Sequence, residues 1–388
     1  MTFFNILSTF DWILFILIIP TVLYLAIFGV ASLISRHSDM PKGKRENRFI
    51  ILIPSTNNGK SLERTVKAIL GQSYPQRLFD VTVIADHENE ITLFHLAQEP
   101  ITLLTPNFEK SSRTKLLQLA INNLPQFKIY DVVILLEAGD IVDTEFLYQM
   151  NDAYEAAGTK AIQAHKLSLN RDTTAARLDA IFEEINNSIF RRGHITLGLS
   201  AALSSSGMCY DFTWFKQQME KAKMSWEDKE FEAQLARQFI YVDYFDNILV
   251  YNEKVRKADD FNRQHTSWMR SQAVSILRNI GHLPLAIINR HYNLVDKLLQ
   301  WLLIPRMVLM TLIVIMGIIT PLFYFTMAIK WWALFAITLF IFALATPNYL
   351  VDDKWDDTFF KVPFVLLSNL LNKFKIGRLL EEKINLKK

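Results

Sequence analysis

"DVVILLEAGDIVD", residues 131–143, sets a run of branched apolar residues against an abrupt change to Glu137, Ala138, Gly139 and Asp140. A short apolar run closed by turn residues reads as a strand buried on both faces. Such strands belong to parallel sheets covered by helices on either side. The stretch therefore predicts an α/β domain whose polar residues gather at the carboxyl end of the strand. Two readings of that end are open: a carboxylate pair handed to a metal, or acids that merely mark a turn.

The same pattern recurs on both sides. "FIILIP" (49–54), "DVTVIAD" (80–86), "ITLLTP" (101–106) and "KAIQAHKLSL" (160–169) read as further strands. Between them lie helical periods: "KSLERTVKAILGQ" places Leu62, Val66, Ile69 and Leu70 on one face, and "TKLLQLAINNL" and "TEFLYQMNDAYEAAG" flank the quoted strand. Alternating strands and helices give a Rossmann-like, mostly parallel sheet, with ligands at the carboxyl ends of its strands. That rule selects residues 54–58, 86–90 and 137–140.

The 388 residues are 51% hydrophobic, more than one such domain needs. The surplus is concentrated. No charged residue interrupts the chain between Asp11 and Arg36, between Arg306 and Lys330, or between Lys330 and Asp352. Each gap meets the roughly 20 residues that a membrane helix requires, which predicts one N-terminal and two C-terminal transmembrane helices. The first is too long for a signal peptide's apolar core and has no basic residue before it. Arg36, Lys42, Lys44, Arg45 and Arg48 follow it, which by the positive-inside rule places the next segment in the cytoplasm and the N-terminus outside, in a multi-pass protein of the inner (plasma) membrane. Residues 271–305 and the basic tail mix apolar faces with Lys, Arg and His and read as interfacial amphipathic helices. The expected divisions are an anchor at 1–36, the α/β domain at 37–270, interfacial helices at 271–305, two membrane helices at 306–350 and a cytoplasmic amphipathic tail at 351–388.

The formal charge of +3 gives no ground for nucleic-acid binding, and the single cysteine, Cys209, cannot form an intrachain disulfide. No histidine pair has metal spacing, so zinc chemistry finds no support. The groups left to carry chemistry are carboxylates. Asp86 ends a strand, where it can accept hydrogen bonds from a base or ribose or can cap a helix. Glu137 and Asp140 are three apart across a turn, suited to a shared divalent cation (magnesium or manganese) or to a solvated loop. Glu227 and Asp228 open the helical period "SWEDKEFEAQLARQ", as general bases or as residues favoured by the helix dipole.

In their order along the chain these segments resemble the membrane-bound family 2 glycosyltransferases, including the cellulose-synthase-like and hyaluronan-synthase-like branch. The likeness runs from about residue 49 to 268 through "IPSTNNGKSLERTVKAILGQSYPQRLFDVTVIAD", "AIQAHKLSLN", "SSSGMCYD" and "WEDKEFEAQL". It implies a GT-A fold and an inverting transfer from a nucleotide sugar, a UDP-sugar first, to a lipid-linked or growing glycan acceptor. It also implies roles: Pro54, Asn57 and Asp86 on the uracil and ribose, Lys115 near the diphosphate, Gly207 in an acceptor-side loop, and Asp228 as base beside Glu227. Gln264 and Trp268 would stand at the ends of the Gln-x-x-Arg-Trp element that closes the donor site.

Three positions depart from the family pattern. Where Asp-Ala-Asp is expected, "EAGD" sets Glu137 at the first acid and Gly139 at the second, with Asp140 one place late. Asn58 stands where Glu is frequent, and Ser267 where an Arg is expected. These departures keep a second reading open, a glycosyltransferase-like assembly subunit serving an active partner.

The topology is testable. In intact cells Thr2→Cys should react with a membrane-impermeant thiol reagent, and Lys44→Cys should be protected. Labelling at position 44 would overturn the orientation and with it access to cytoplasmic nucleotide sugars.

Overall fold

The computed structural model describes residues 2–34, 41–223 and 228–351. A long helix, α1 (Thr2–Ala31), precedes β1 (Phe49–Thr56), α2 (Lys60–Leu70), β2 (Phe79–Asp86), α3 (Glu90–Leu96), β3 (Thr102–Leu104), α4 (Arg113–Asn122) and β4 (Val132–Leu135). Then come β5 (Asp140–Val142), α5 (Phe146–Ala157), β6 (Ala161–Ser168), α6 (Thr174–Ile185), a π-helical segment (Asn186–Arg192) and α7 (Gly193–Thr196). The domain closes with β7 (Met208–Asp211), α8 (Phe212–Lys221), α9 (Asp228–Arg237) and β8 (Val242–Asn252). Five helices follow: α10 (Ala258–Asn279), α11 (Leu283–Ile288), α12 (Tyr292–Leu302), α13 (Arg306–Ile319) and α14 (Phe325–Ala345).

The eight strands lie in the order β3-β2-β1-β4-β7-β6-β8-β5. The first four are parallel, as the sequence predicts. β7 runs antiparallel to both β4 and β6, and β5 antiparallel to β8, whereas β6 and β8 are parallel. The alternation along β1 explains its unbroken apolar sequence. Phe49, Ile51 and Ile53 join a core with Leu62 and Val66 of α2 and Phe146 of α5. Ile50 and Leu52 join a second core on the opposite face, with Leu116 of α4 and Phe215 of α8.

The quoted stretch proves to be the link between two strands. β4 ends at Leu135 and, after a four-residue turn, the chain re-enters the sheet at Asp140, the first residue of β5. Gly139 makes the link possible with φ 101°, a value that residues with a Cβ rarely adopt. Gly207, at φ 67°, is held by its surroundings as well: a Cβ there would meet Val250 Cγ2 at 3.0 Å and Ala164 Cβ at 3.2 Å.

In the membrane part, Ser8–Ala31 and Phe325–Ala345 are long and apolar enough to cross a bilayer. α13 is shorter. It makes a third span only if α12 and the 306–322 segment, bent by 52° at their break, act as one. The third helix begins before Lys330 instead of after it, and α1 takes in Asp11, so two ionisable residues lie inside helices that were expected to hold none. They meet: Lys330 Nζ donates to Asp11 Oδ2, Trp331 Nε1 donates to Asp11 Oδ1 at 2.7 Å, and the ammonium stands 3.8 Å over the Trp12 ring. A charge in an apolar helix needs such a partner. Near the other ends of the two helices, a Cβ at Gly29 would meet Ile341 Cγ2 at 3.0 Å, so α1 and α14 run parallel.

The α/β domain docks on that second end. Ser188 Oγ donates to Ala345 O at 2.7 Å, and Arg306 Nη2 donates to Asn186 Oδ1 at 2.8 Å. Gly193 lies so close to the carbonyl oxygen of Phe28 that an added Cβ would overlap it at 2.2 Å. The 271–305 region differs from the expected set of surface helices. α10 runs unbroken to Asn279, and α12 turns Asp296, Lys297 and Gln300 inward and leaves Tyr292, Leu299 and Leu302 exposed. Together with exposed Leu285, Ile287 and Ile288 of α11, this outward apolar face supports contact with the bilayer surface. The tail from residue 352 lies outside the described residues.

Leaving one member of a buried pair unpartnered costs about 3–5 kcal/mol. Asp11→Leu should therefore lower the thermal unfolding midpoint in detergent, and adding Lys330→Leu should recover most of the loss. Additive losses in the double variant would show that the pair does not hold α1 to α14.

Candidate functional site

The carboxyl ends of β1, β2 and β4 carry the three selected clusters. Pro54 sits near the end of β1, followed by Asn57 at φ 54°, a left-handed conformation that Asn tolerates better than most residues. Asn57 N donates to Asp86 O at 3.2 Å, tying the two strand ends together. Asp86 is fully buried at the end of β2. Its Oδ1 accepts from Phe108 N at 3.2 Å and stands 2.9 Å from His87 Nδ1, while Oδ2 has no hydrogen-bond partner. The carboxylate lacking at position 58 arrives from Glu88, which accepts from Ser55 Oγ (2.7 Å), Asn58 N (2.6 Å) and Gly59 N (2.9 Å). It thereby satisfies the exposed amides where α2 begins.

Around Glu137 the groups converge from four segments. Lys166, on β6, has a side chain only 7% exposed, and its ammonium reaches Glu137 Oε2 at 3.2 Å and Ser205 Oγ at 2.9 Å. Ser205 Oγ also donates to Glu137 Oε2 at 2.8 Å. Arg113, the first residue of α4, donates to Asp228 Oδ1 at 2.8 Å and to Ser205 O, and its Nε is buried without a partner. Against the cost of burial, the Lys166 ammonium and the Arg113 guanidinium hold the Glu137 carboxyl down to about 2. Burial pushes the Asp228 carboxyl above the usual carboxylate range, and Arg113 offsets that only in part.

Asp140 has a different task from the one the sequence suggested. It is fully buried, and its carboxylate accepts from Glu137 N (2.6 Å), from Ser206 Oγ and from Asn252 Nδ2 (2.7 Å). Its oxygens are engaged in holding the turn, loop 204–207 and β8 together. Glu137 points instead to Lys166 and Ser205, so the two acids do not share an open position. Among the described residues no group of three or more His, Cys, Asp or Glu could hold a metal ion. The expected donor set of Glu137 and Asp140 does not fit a divalent cation, because hard cations take several oxygen ligands that are free to face them.

Other expectations shift as well. Lys115 stands 3.6 Å over the Phe108 ring, next to the Asp86 cluster, and it is Arg113 that reaches the acids. Gly207 is a packing residue between β4 and β6, donating to Leu135 O at 3.0 Å and accepting from Ala164 N at 2.8 Å. The loop's contribution to the site comes from Ser205. Gln264 and Trp268 lie one turn apart on α10, both exposed and with no hydrogen bond to the cluster among the described residues. Glu227 lies outside the described residues.

Two site residues escaped the sequence reading, and each left a signal. Arg113 is a cation in the first turn of a helix with no acid there, at the end where the dipole disfavours positive charge. Lys166 interrupts a strand of buried residues, where an ammonium needs a specific partner.

The fold is similar to that of solved structures. A mannosyltransferase, PcManGT from Pyrobaculum calidifontis, solved in complex with GDP-Man and Mn2+, matches over 90% of this chain and 99% of its own at 11% identity, with a TM-score of 0.56. TarS 1–349 of S. aureus in complex with UDP-GlcNAc matches over 85% and 92% at 12% identity, with a TM-score of 0.43. No curated protein matches. The sheet, with its parallel half and its antiparallel β7, is thus a GT-A-like one, and the model of the glycosyltransferase-like family 2 matches residues 47–271, more than half of the chain: the chain belongs to that family.

Proposed function

We propose that the protein transfers a sugar from a nucleotide-sugar donor to a lipid-linked or growing glycan acceptor at the membrane surface, with inversion at the anomeric carbon. The observation that carries this reading is Asp228. Its carboxylate opens α9 on the same cluster as Glu137, beyond Asp86 along the strand ends, and burial raises its affinity for a proton. Asp86, with one buried oxygen unpartnered, suits a ribose hydroxyl or a base N–H, with Pro54 and Asn57 beside it. The sugar then lies toward Glu137 and Ser205. Asp228 takes the proton from the acceptor hydroxyl as its oxygen attacks the anomeric carbon, and the nucleoside diphosphate leaves from the opposite face.

The donor is GDP-Man in the mannosyltransferase neighbour, so GDP-sugars join UDP-sugars in the first screen. α1 and α14 both end against the α/β domain, and the basic residues that follow α1 lie at that same end. This supports a cytoplasmic site on the inner membrane, where nucleotide sugars are available. The exposed apolar residues of α11 and α12 support an acceptor presented at the bilayer surface.

The assembly-subunit reading draws on the same contact that caps Asp228 with Arg113. A panel of UDP-, GDP- and dTDP-sugars separates the two: an enzyme releases nucleotide from at least one, and an assembly subunit from none.

Asp228→Asn should lower turnover by about 10²–10⁴-fold without weakening donor binding, because a base is needed only when the hydroxyl attacks. Unchanged turnover would remove Asp228 from the mechanism. The pH profile follows from the direction of its shift. The base works deprotonated, and its raised pKa means that activity fails as pH falls through a value above the ~3.9 of an ordinary Asp. Asp228→Asn should abolish this acid limb in whatever rate remains.

A further inference from the structure

A nucleotide sugar brings a diphosphate, and transfer leaves its charge on the departing nucleotide. In metal-dependent sites a divalent cation supplies two positive charges to it. Here the acids expected to bind that cation are engaged elsewhere, yet two positive charges stand at the same place. Lys166 and Arg113 converge on one residue, Ser205, the ammonium on its Oγ at 2.9 Å and the guanidinium on its carbonyl oxygen. Each cation is held by a carboxylate, Lys166 by Glu137 at 3.2 Å and Arg113 by Asp228 at 2.8 Å.

Resting on the glycosyltransfer reading above, we propose that Arg113 and Lys166 hold the donor's diphosphate in place of a divalent cation, and that Arg113 leaves Asp228 to do so. The two cations are unequally placed for this. Arg113 keeps a quarter of its side chain exposed, and its two terminal nitrogens are held by Asp228 and Ser205 O, so a phosphate gains its fork by displacing the Asp228 carboxylate. A guanidinium presents paired donors that match phosphate oxygens, which an ammonium cannot do. Lys166 is nearly enclosed, fixed by Glu137 and Ser205, and acts as a set charge behind the site.

The exchange has a mechanical consequence. Without donor, Arg113 covers the base. A diphosphate carries more charge than one carboxylate and competes for the same guanidinium, so donor binding uncovers Asp228 for the acceptor hydroxyl. The order of events follows: donor first, then acceptor. The arrangement also guards against a base acting on water or acceptor before a sugar is present.

The test is titration of UDP and GDP into the full-length detergent-solubilised protein, with EDTA and with manganese, followed by calorimetry. Wild type should bind at least one of them with similar affinity in both media. Arg113→Gln should weaken that binding by roughly 10- to 100-fold, as expected for loss of a charged hydrogen-bonding partner. Arg113→Lys should fall between. The matching nucleoside, which has no phosphate, should bind wild type and Arg113→Gln alike, which shows that the variant is folded. Asp228→Asn should tighten UDP or GDP binding, since the competitor for Arg113 is gone. Lys166→Gln alone leaves Glu137 uncompensated, so it is paired with Glu137→Gln, and the double variant should also bind the diphosphate more weakly in EDTA. Binding that requires manganese, or an Arg113→Gln variant with wild-type affinity, or weaker binding in Asp228→Asn, would overturn this inference and leave the glycosyltransfer reading standing. A wild type that binds neither nucleotides nor nucleotide sugars in either medium would overturn the glycosyltransfer reading itself.

Discussion

A carboxylate sealed from water must find a hydrogen-bond donor for each oxygen or become neutral, and the arrangement of the site depends on how Asp140 meets that requirement. Its partners come from three separate segments: the backbone of Glu137, the hydroxyl of Ser206 and the amide of Asn252. The turn after β4, the loop before β7 and the end of β8 are joined at one buried point. Because Ser206 is bound inward, its neighbour Ser205 is presented to Glu137 and Lys166. Because Glu137 N is bound inward, its side chain is free to face the same group. One satisfied buried acid thus sets the positions of the residues that line the candidate site.

Much of the fold could be read from the chain, for identifiable reasons. β1, β2 and β4 are buried on both faces and announce themselves as apolar runs. The strands that escaped were those with weaker signals. β5 and β7 have three and four residues, and β8 carries Asp243, Asp246 and Asn247 within its eleven. The antiparallel insertion of β7 between β4 and β6 depends on pairing between segments some seventy residues apart, which no local period encodes. In the candidate site, the positions of Asp86 and Asp228 at element ends were legible because acids there are conspicuous. Arg113 and Lys166 were not, since basic residues are ordinarily assigned to the surface. Asp140 was misjudged because its role is set by partners 66 and 112 residues away. The same limit applies to Lys330, a boundary mark in the sequence but a half-buried partner of the buried Asp11 in the fold.

α12 buries charged as well as apolar side chains against its neighbours. Asp296, Lys297 and Gln300 are buried together with Leu294, Leu298 and Trp301, whose Nε1 donates to Glu232 Oε2 of α9 at 3.1 Å, while Tyr292, Leu299 and Leu302 stay exposed. An amphipathic helix facing water would instead keep its charged side chains on the exposed side. Tyr24, on the membrane anchor, donates to Asp296 Oδ1 of this helix at 2.7 Å and meets His194 Nε2 at 2.9 Å. Polar contacts therefore join the anchor, the α/β domain and α12 along a seam whose outer side is apolar.

The contact between Gly193 and Phe28 determines how far the site can travel. With no side chain between them, the backbone of the α/β domain rests directly on the backbone of the anchor, and the Phe28 ring stacks on His194 at 3.8 Å. The domain has no stalk on which to swing at this contact, so the candidate site stands at a fixed height relative to α1. On the glycosyltransfer reading proposed above, a sugar chain anchored in the membrane would have to bring its free end to that height by its own length and flexibility. For the acceptor proposed above, the docking would act as a ruler, excluding by distance any chain too short to reach the plane of Asp228.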